Sequence, residues 1–376
     1  MTSQKASKPG SLRDVPLPEK VAFLSEASHY PGLPDRVLVR ETHMSWVFLA
    51  GDLVYKLKKP VRFPYLDFST LRRREAACRA EFSLNLRLAP DIYLGVVPLT
   101  ETDGVLSIDG KGRVIDWLVV MRRLADDGSL ESAIQSGRVS MRDADRIADR
   151  LSTFYRHARR VAIRPDESLA DWRAMLAYNR RILRDPRFGL PAGQIERILR
   201  IQRRFLAEEP GVLKGRVRQR RIVEAHGDLR PEHIWLGNPV TVIDCLEFDK
   251  QMRCLDPLDE VAFLHLECQR LGAGWVGERI YRQLARDIAD PRETGLYLFY
   301  RSCRALLRAR LAIAHLLDSA PRTPEKWPRR AREYLAFAEQ DAVRLERLLN
   351  RRRGRPGSDV RAGGRSLQRK AAPKAQ

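Results

Sequence analysis

Along the first third of the chain the apolar positions recur with a period near two, and beyond about residue 129 they recur with a helical period. Ser45-Trp46-Val47-Phe48-Leu49-Ala50 runs into Gly51-Asp52 and Leu53 to Lys58 returns, the pattern of a hairpin closed by a glycine-containing turn. On the return strand Val54, Lys56 and Lys58 share one face and Leu53, Tyr55 and Leu57 the other. Further strands are expected over residues 93–98, 105–108 and 114–121, the last two flanking Asp109-Gly110-Lys111-Gly112, which completes an antiparallel sheet. Residues 20–27 predict a short helix. Ser69 is the expected N-cap of a longer one, in which Leu71, Cys78, Phe82 and Leu86 recur at helical spacing until Pro90.

Helical stripes follow: Ile147, Leu151, Phe154 and Ala158; then Leu169, Trp172, Leu176 and Leu183; then Ile195, Leu199 and Leu206. A long helix is expected over 296–317, with Arg301, Arg304 and Arg308 on a solvated or ion-paired face, and a last one over 325–349. Two short strands, 233–236 and 240–243, interrupt the helical region around Gly237-Asn238-Pro239. That hairpin would bring Asp228 and Asp244 to one cleft.

Two carboxylates so placed suit phosphoryl transfer, where one orients the attacking hydroxyl and the other holds the metal that bridges the nucleotide phosphates. The run His226-Gly227-Asp228-Leu229-Arg230-Pro231-Glu232-His233-Ile234, with Val242-Ile243-Asp244, resembles the catalytic loop and metal-binding aspartate of the protein-kinase-like superfamily. The His-Gly-Asp form is similar to its aminoglycoside phosphotransferase branch, and the chain as a whole resembles uncharacterised bacterial proteins built around such a domain. The resemblance implies an α+β, two-lobed fold: a flexible leader over 1–20, a small lobe over 21–124 with an antiparallel sheet and one key helix, a larger helical lobe over 125–349, and a basic disordered tail over 350–376. It further implies Asp228 as general base or hydroxyl orienter, Arg230 steadying the transferring phosphoryl, and Asp244 as magnesium ligand. Lys56 would be the phosphate ligand, with Lys58 as its neighbour and rival, and Glu81, with Glu75 as rival, its partner. Met121 to Leu124 would be the adenine hinge, and Ser45, with Thr42, would contact phosphate from the loop before the hairpin. ATP, with GTP as a second possibility, and Mg²⁺ are the implied cofactors, and a small-molecule hydroxyl the acceptor. Acids near 256–260 would brace the catalytic loop.

Two departures matter. His233 stands where the family places a magnesium-binding asparagine, yet Mg²⁺ prefers oxygen ligands; Glu247 is an alternative oxygen donor. The loop 41–45 carries no glycine. Both features keep open a nucleotide-binding regulatory module without catalysis. No Gly-x-x-x-x-Gly-Lys-[Ser/Thr] motif occurs, so only the kinase-like half is expected here.

Composition narrows the partners. The 376 residues are 44% hydrophobic, enough for a full core, and hold neither a run of about 18 apolar residues nor an apolar signal region, which points to the cytoplasm. Five scattered cysteines without a Cys-x-x-Cys pair fit reduced thiols. The net charge is +21, of which residues 351–376 carry +8, nine basic residues against Asp359. Such a tail favours weak binding to nucleic acid or anionic surfaces. The same charge repels polycations unless acids such as Asp256, Asp259, Glu260 or Glu267 line the acceptor pocket, so a neutral or anionic acceptor is expected.

Overall fold

The computed structural model describes residues 14–290, 294–317 and 323–353. The chain opens with α1 (Leu17–Ser25), then β1 (Val37–Glu41), β2 (Ser45–Ala50) and β3 (Leu53–Lys58). A small hairpin, β4 (Arg62–Phe63) and β5 (Leu66–Asp67), leads into α2 (Leu71–Asn85), followed by β6 (Tyr93–Thr102), β7 (Val105–Ile108) and β8 (Arg113–Arg122). Six of these strands form one antiparallel sheet in the order β1-β2-β3-β8-β6-β7, with Val47 opposite Lys56 and Lys56 opposite Val119. The expected hairpin and sheet are therefore present.

The helical remainder comprises α3 (Leu130–Gln135), α4 (Met141–His157), α5 (Pro165–Leu183), α6 (Ala192–Glu208) and α7 (Pro210–Arg218). Short strands β9 (Val223–Glu224), β10 (Ile234–Trp235), β11 (Thr241–Val242) and β12 (Cys254–Leu255) carry the central loops, and α8 (Pro257–Arg270), α9 (Gly274–Asp287), α10 (Thr294–Ala314) and α11 (Lys326–Arg353) close the body. The stripes Ile147–Leu151–Phe154, Leu169–Leu176–Leu183 and Ile195–Leu199–Leu206 are all buried in one core with α8 and α10. Burying such side chains contributes about 1.5–3 kcal/mol each, so this core holds α4 to α11 as a platform beneath the sheet.

Two expectations need correction, and a third resolves between its alternatives. The leader over 1–20 does not reach Lys20: residues 1–13 lie outside the described part, but Val15 is buried and α1 begins at Leu17. Its Lys20 ammonium is drawn inside by Asp116 Oδ2 at 2.8 Å and the Ile115 carbonyl at 2.9 Å. The N-cap of α2 is Thr70, which accepts from the Arg73 amide; Ser69 instead turns back to Asp67. The arginines of α10 are not solvated. Arg301 pairs with Asp341 at 2.8 Å, Arg304 is bidentate on Asp259 at 2.7 and 2.6 Å, and Arg308 pairs with Glu267 at 2.9 Å, so the ion-paired alternative holds. Most of the tail, residues 354–376, lies outside the described part. The five cysteines are free, and among the described residues no helix is long and apolar enough to cross a membrane.

Candidate active site

The face of β3 that carries Lys56 and Lys58 looks onto α2. Arg74 Nε fixes that helix to β8 through Asp116 Oδ1 at 2.7 Å, and Cys78 packs with Tyr93, Val119 and Met121. The next turn delivers Glu81, 0% exposed, between the two lysines. Lys56 Nζ donates to Glu81 Oε1 at 2.9 Å and Lys58 Nζ to Oε2 at 2.6 Å. Glu81 is thus central in the buried face, and Glu75 pairs elsewhere, with Arg79.

Each lysine also reaches the other wall of the cleft. Lys56 Nζ donates to Asp244 Oδ1 at 2.7 Å, and Lys58 Nζ donates to Glu247 Oε1. Burial opposes the charge on Lys56, but Asp244, Glu81 and Glu247 outweigh it and hold the ammonium well above the ordinary lysine range. Burial likewise pushes the Asp244 carboxyl up, and the Lys56 ammonium reverses this, leaving it far below the usual carboxylate value. Burial prevails at Glu247, whose pKa is raised despite Lys58. Asp244 has a left-handed backbone, φ 62°, costly for a residue with a Cβ, and its amide donates to the Tyr93 hydroxyl at 3.3 Å. Strain of this kind collects at functional positions.

The loop 226–234 is held by a buried acid, Glu260, one of those the resemblance implies. Glu260 accepts from the amides of His226 at 3.1 Å and Gly227 at 2.5 Å, and from the Tyr155 hydroxyl at 2.7 Å. Gly227 has φ 91°, and a Cβ there would press on Leu246 and Arg253. His226 Nε2 donates to the Ile243 carbonyl at 2.9 Å, joining the loop to the segment after β11 that carries Asp244. Asn85 and Arg87, at the end of α2, bind Cys245 and the carbonyls of Glu224 and Ala225.

His233 lies between the two aspartates. Its Nδ1 donates to the Asp228 carbonyl at 2.8 Å, and its Nε2 is 3.6 Å from Asp244 Oδ2. Arg230 grips Asp228 Oδ2 through Nε at 3.1 Å and Nη2 at 2.9 Å, Glu232 through Nη1 at 2.5 Å, and His233 Nε2 at 3.1 Å.

No protein-family model matches the chain. An uncharacterised protein of Mycobacterium tuberculosis is 34% identical over 298 residues, which cover 75% of this chain and 56% of that protein, and one of Mycobacterium bovis matches equally. The chain spans about half the length of the curated relatives it matches. Among solved structures, the GDP complex of a mutant aminoglycoside 2′-phosphotransferase IIIa aligns with TM-score 0.52 and 14% identity, over 86% of this chain and 97% of that one. A choline kinase from Cryptosporidium parvum aligns with TM-score 0.50 and 10% identity, over 89% and 96%. The chain has the kinase-like phosphotransferase fold.

Within that kinase-like frame, the structure brings together Lys56, Glu81, Asp244, His233, Asp228 and Arg230. It does not bring Ser45 to an open cleft: Ser45 is buried opposite Lys58, and the loop closes on itself through its amide to Thr42 Oγ1 and the Thr42 hydroxyl to the Ser45 carbonyl, both 2.9 Å. Met121 packs beside Ile243 in the cleft wall, and Leu124 lies half-buried beyond the end of β8. In the hinge stretch the Arg122 and Arg123 amides are engaged with the carbonyls of Ile92 and Asp52. Glu247, the alternative oxygen donor, is engaged by Lys58 through Oε1, as Asp244 is by Lys56 through Oδ1. Sequence reasoning weighed Lys58 only as a substitute for Lys56; their shared strand face was the signal that both enter. Arg87 and Asn85 left no signal, because their partners are backbone groups and a neighbour 160 residues away.

Proposed function

We propose that this chain is a phosphotransferase that moves the terminal phosphoryl group of ATP, or of GTP, to a hydroxyl of a small-molecule acceptor in the cytoplasm. The observation that carries this reading is the convergence in one cleft of Lys56 from β3, Asp244 from the segment after β11, and Asp228 and His233 from the loop 226–234. Lys56, held by Glu81, binds the nucleotide phosphates; Asp228 orients the acceptor hydroxyl and takes its proton; Arg230 turns its guanidinium to the transferring group.

The donor set fits a divalent cation. Among the described residues no three His, Cys, Asp or Glu side chains converge as a closed metal cage. Asp244 Oδ2 and His233 Nε2 are two donors at one edge of the cleft, which suits an ion that completes its shell with phosphate and water. A cation held by Asp244 and His233 would neutralise charge on the phosphates.

The acceptor is neutral or anionic on this reading. The acids that would attract a polycation are consumed internally: Asp256 by Arg216, Asp259 by Arg304, Glu260 by the loop amides and Glu267 by Arg270, Arg308 and Tyr334.

A second reading, a nucleotide-binding regulatory module, is favoured by one observation: both aspartates already have cationic partners, Asp244 in Lys56 and Asp228 in Arg230. Thermal unfolding with ATP, GTP and ADP, with and without divalent cation, tests both. Stabilisation that needs the cation and is lost in Asp244→Ala supports the cleft as a nucleotide site. Asp228→Asn should then lower transfer by about 10²–10⁴-fold with the fold intact. Full transfer by Asp228→Asn sinks the phosphotransferase assignment, and cation-independent stabilisation without transfer selects the regulatory module.

A further inference from the structure

We infer that His233 makes the cation site of this chain prefer a transition-metal ion, manganese(II), over magnesium; the inference rests on the phosphotransferase reading of the same cleft. A carbonyl oxygen only accepts hydrogen bonds, so the 2.8 Å contact between His233 Nδ1 and the Asp228 carbonyl places the ring hydrogen on Nδ1. Arg230 Nη2, which can only donate, lies 3.1 Å from Nε2, so Nε2 presents its lone pair, and it does so 3.6 Å from Asp244 Oδ2, a separation that two metal bonds of about 2.1 Å span. The backbone acceptor also makes the imidazole a better donor and fixes its plane, as a second-shell partner does in established histidine sites. With the ring buried and tethered, it cannot turn aside to leave an all-oxygen shell.

The charge balance agrees. Asp244, Glu81 and Glu247 are three carboxyl groups that share two ammonium groups, Lys56 and Lys58, so the cluster accepts further positive charge. Arg230 Nη2, 3.1 Å from Nε2, must give up that one contact when the cation arrives, but its contacts with Asp228 and Glu232 remain to hold it. Magnesium is hard and binds oxygen almost alone, whereas manganese accepts carboxylate, phosphate and water and tolerates an imidazole among them. One nitrogen in an otherwise oxygen shell selects for the second ion.

The test uses the full chain with a non-hydrolysable ATP analogue as the bound nucleotide. Manganese and magnesium are titrated separately, and thermal stabilisation is read for wild type and His233→Asn. Wild type should reach half-maximal stabilisation at a manganese concentration at least roughly tenfold below that of magnesium, and His233→Asn should narrow that ratio. Independently of any variant, pulsed electron paramagnetic resonance of the wild-type manganese complex should show coupling to a directly bound nitrogen. Growth with ¹⁵N-histidine should change that coupling. Equal preference for the two ions in wild type and variant, or no histidine coupling in a complex that binds nucleotide, overturns the inference while leaving the phosphotransferase reading intact. No stabilisation by nucleotide with either ion overturns both.

Discussion

Lys58 is 1% exposed, and its ammonium lies between Glu81 and Glu247 with the Phe68 ring 5.0 Å away. Removing one member of a buried pair strands the other charge, at about 3–5 kcal/mol. Lys58→Met should fall at the low end of that range, because burial already raises the Glu247 carboxyl and lets it take a proton. Lys58→Met with Glu247→Gln should recover part of the loss; urea unfolding of both variants checks this, and equal stability of the two would refute the pairing. His265 carries a different residue-scale prediction. Burial, with Arg301 and Arg344 added, holds its imidazole well below the ordinary value, while Nδ1 contacts the Tyr297 hydroxyl at 3.0 Å. The unfolded chain takes the proton at about pH 6.5 and the folded chain does not. Stability from this group is therefore present above about pH 6.5 and declines by up to about 1.4 kcal/mol per unit as pH falls towards the folded pKa. Unfolding at about pH 7.5 and about pH 5.5 should show a smaller loss in His265→Gln than in wild type.

At the scale of elements, α8 holds the catalytic loop, and its position depends on how closely α9 approaches it. A Cβ at Gly277 would overlap the Cα and Cβ of His265, with backbone as one of the obstacles. Gly277→Ala should therefore push the two helices apart, costing about 1–3 kcal/mol. Because α8 also carries Glu260, the substitution should weaken protection of the His226 and Gly227 amides in hydrogen exchange. Unchanged protection together with unchanged stability would show that the helices yield without moving the loop. How much was legible in the sequence differs between elements for physical reasons. The β3 lysines were readable because strand period two is rigid. Helix α2 was located correctly, but by an apolar stripe that only partly faces inward. Leu71 and Phe82 are half-buried, while Arg74, Glu81 and Asn85 are buried. Its interior face is polar because each of those groups finds a partner across the chain, in Asp116, the two lysines and Cys245. Periodicity counts apolar side chains and cannot see such long-range pairs. The hairpin that joins Asp228 to Asp244 was readable from its turn, whereas the position of His233 between them arises from a single 3₁₀ turn, Pro231–His233, that no spacing rule predicts.

On the scale of the whole molecule, the sheet and the helical body are fastened through the candidate site itself. Lys56 and Lys58 come from the sheet, Asp244 and Glu247 from the segment after β11, and the end of α2 binds the backbone just before His226 and just after Asp244. At the far rim, the His43 ring stacks on Phe63 at 4.7 Å and meets His315, beyond α10, at 6.5 Å. The chain carries a net charge of +21. Residues 354–376 hold six basic side chains, Arg355, Arg361, Arg365, Arg369, Lys370 and Lys374, against Asp359 alone, and removing them leaves α11 intact. Each phosphate neutralised on a single strand contributes about 0.7 to the log–log salt slope, so six contacts give a slope of about 4. Full-length chain should therefore bind single-stranded RNA of mixed sequence with a slope steeper, by up to about 4, than that of a chain ending at residue 353. Nucleotide-dependent stabilisation should be unchanged by the truncation, because the cleft residues named above all lie between Lys56 and Glu247. Equal slopes would assign the charge to solubility. A loss of nucleotide stabilisation would instead link the segment to the cleft.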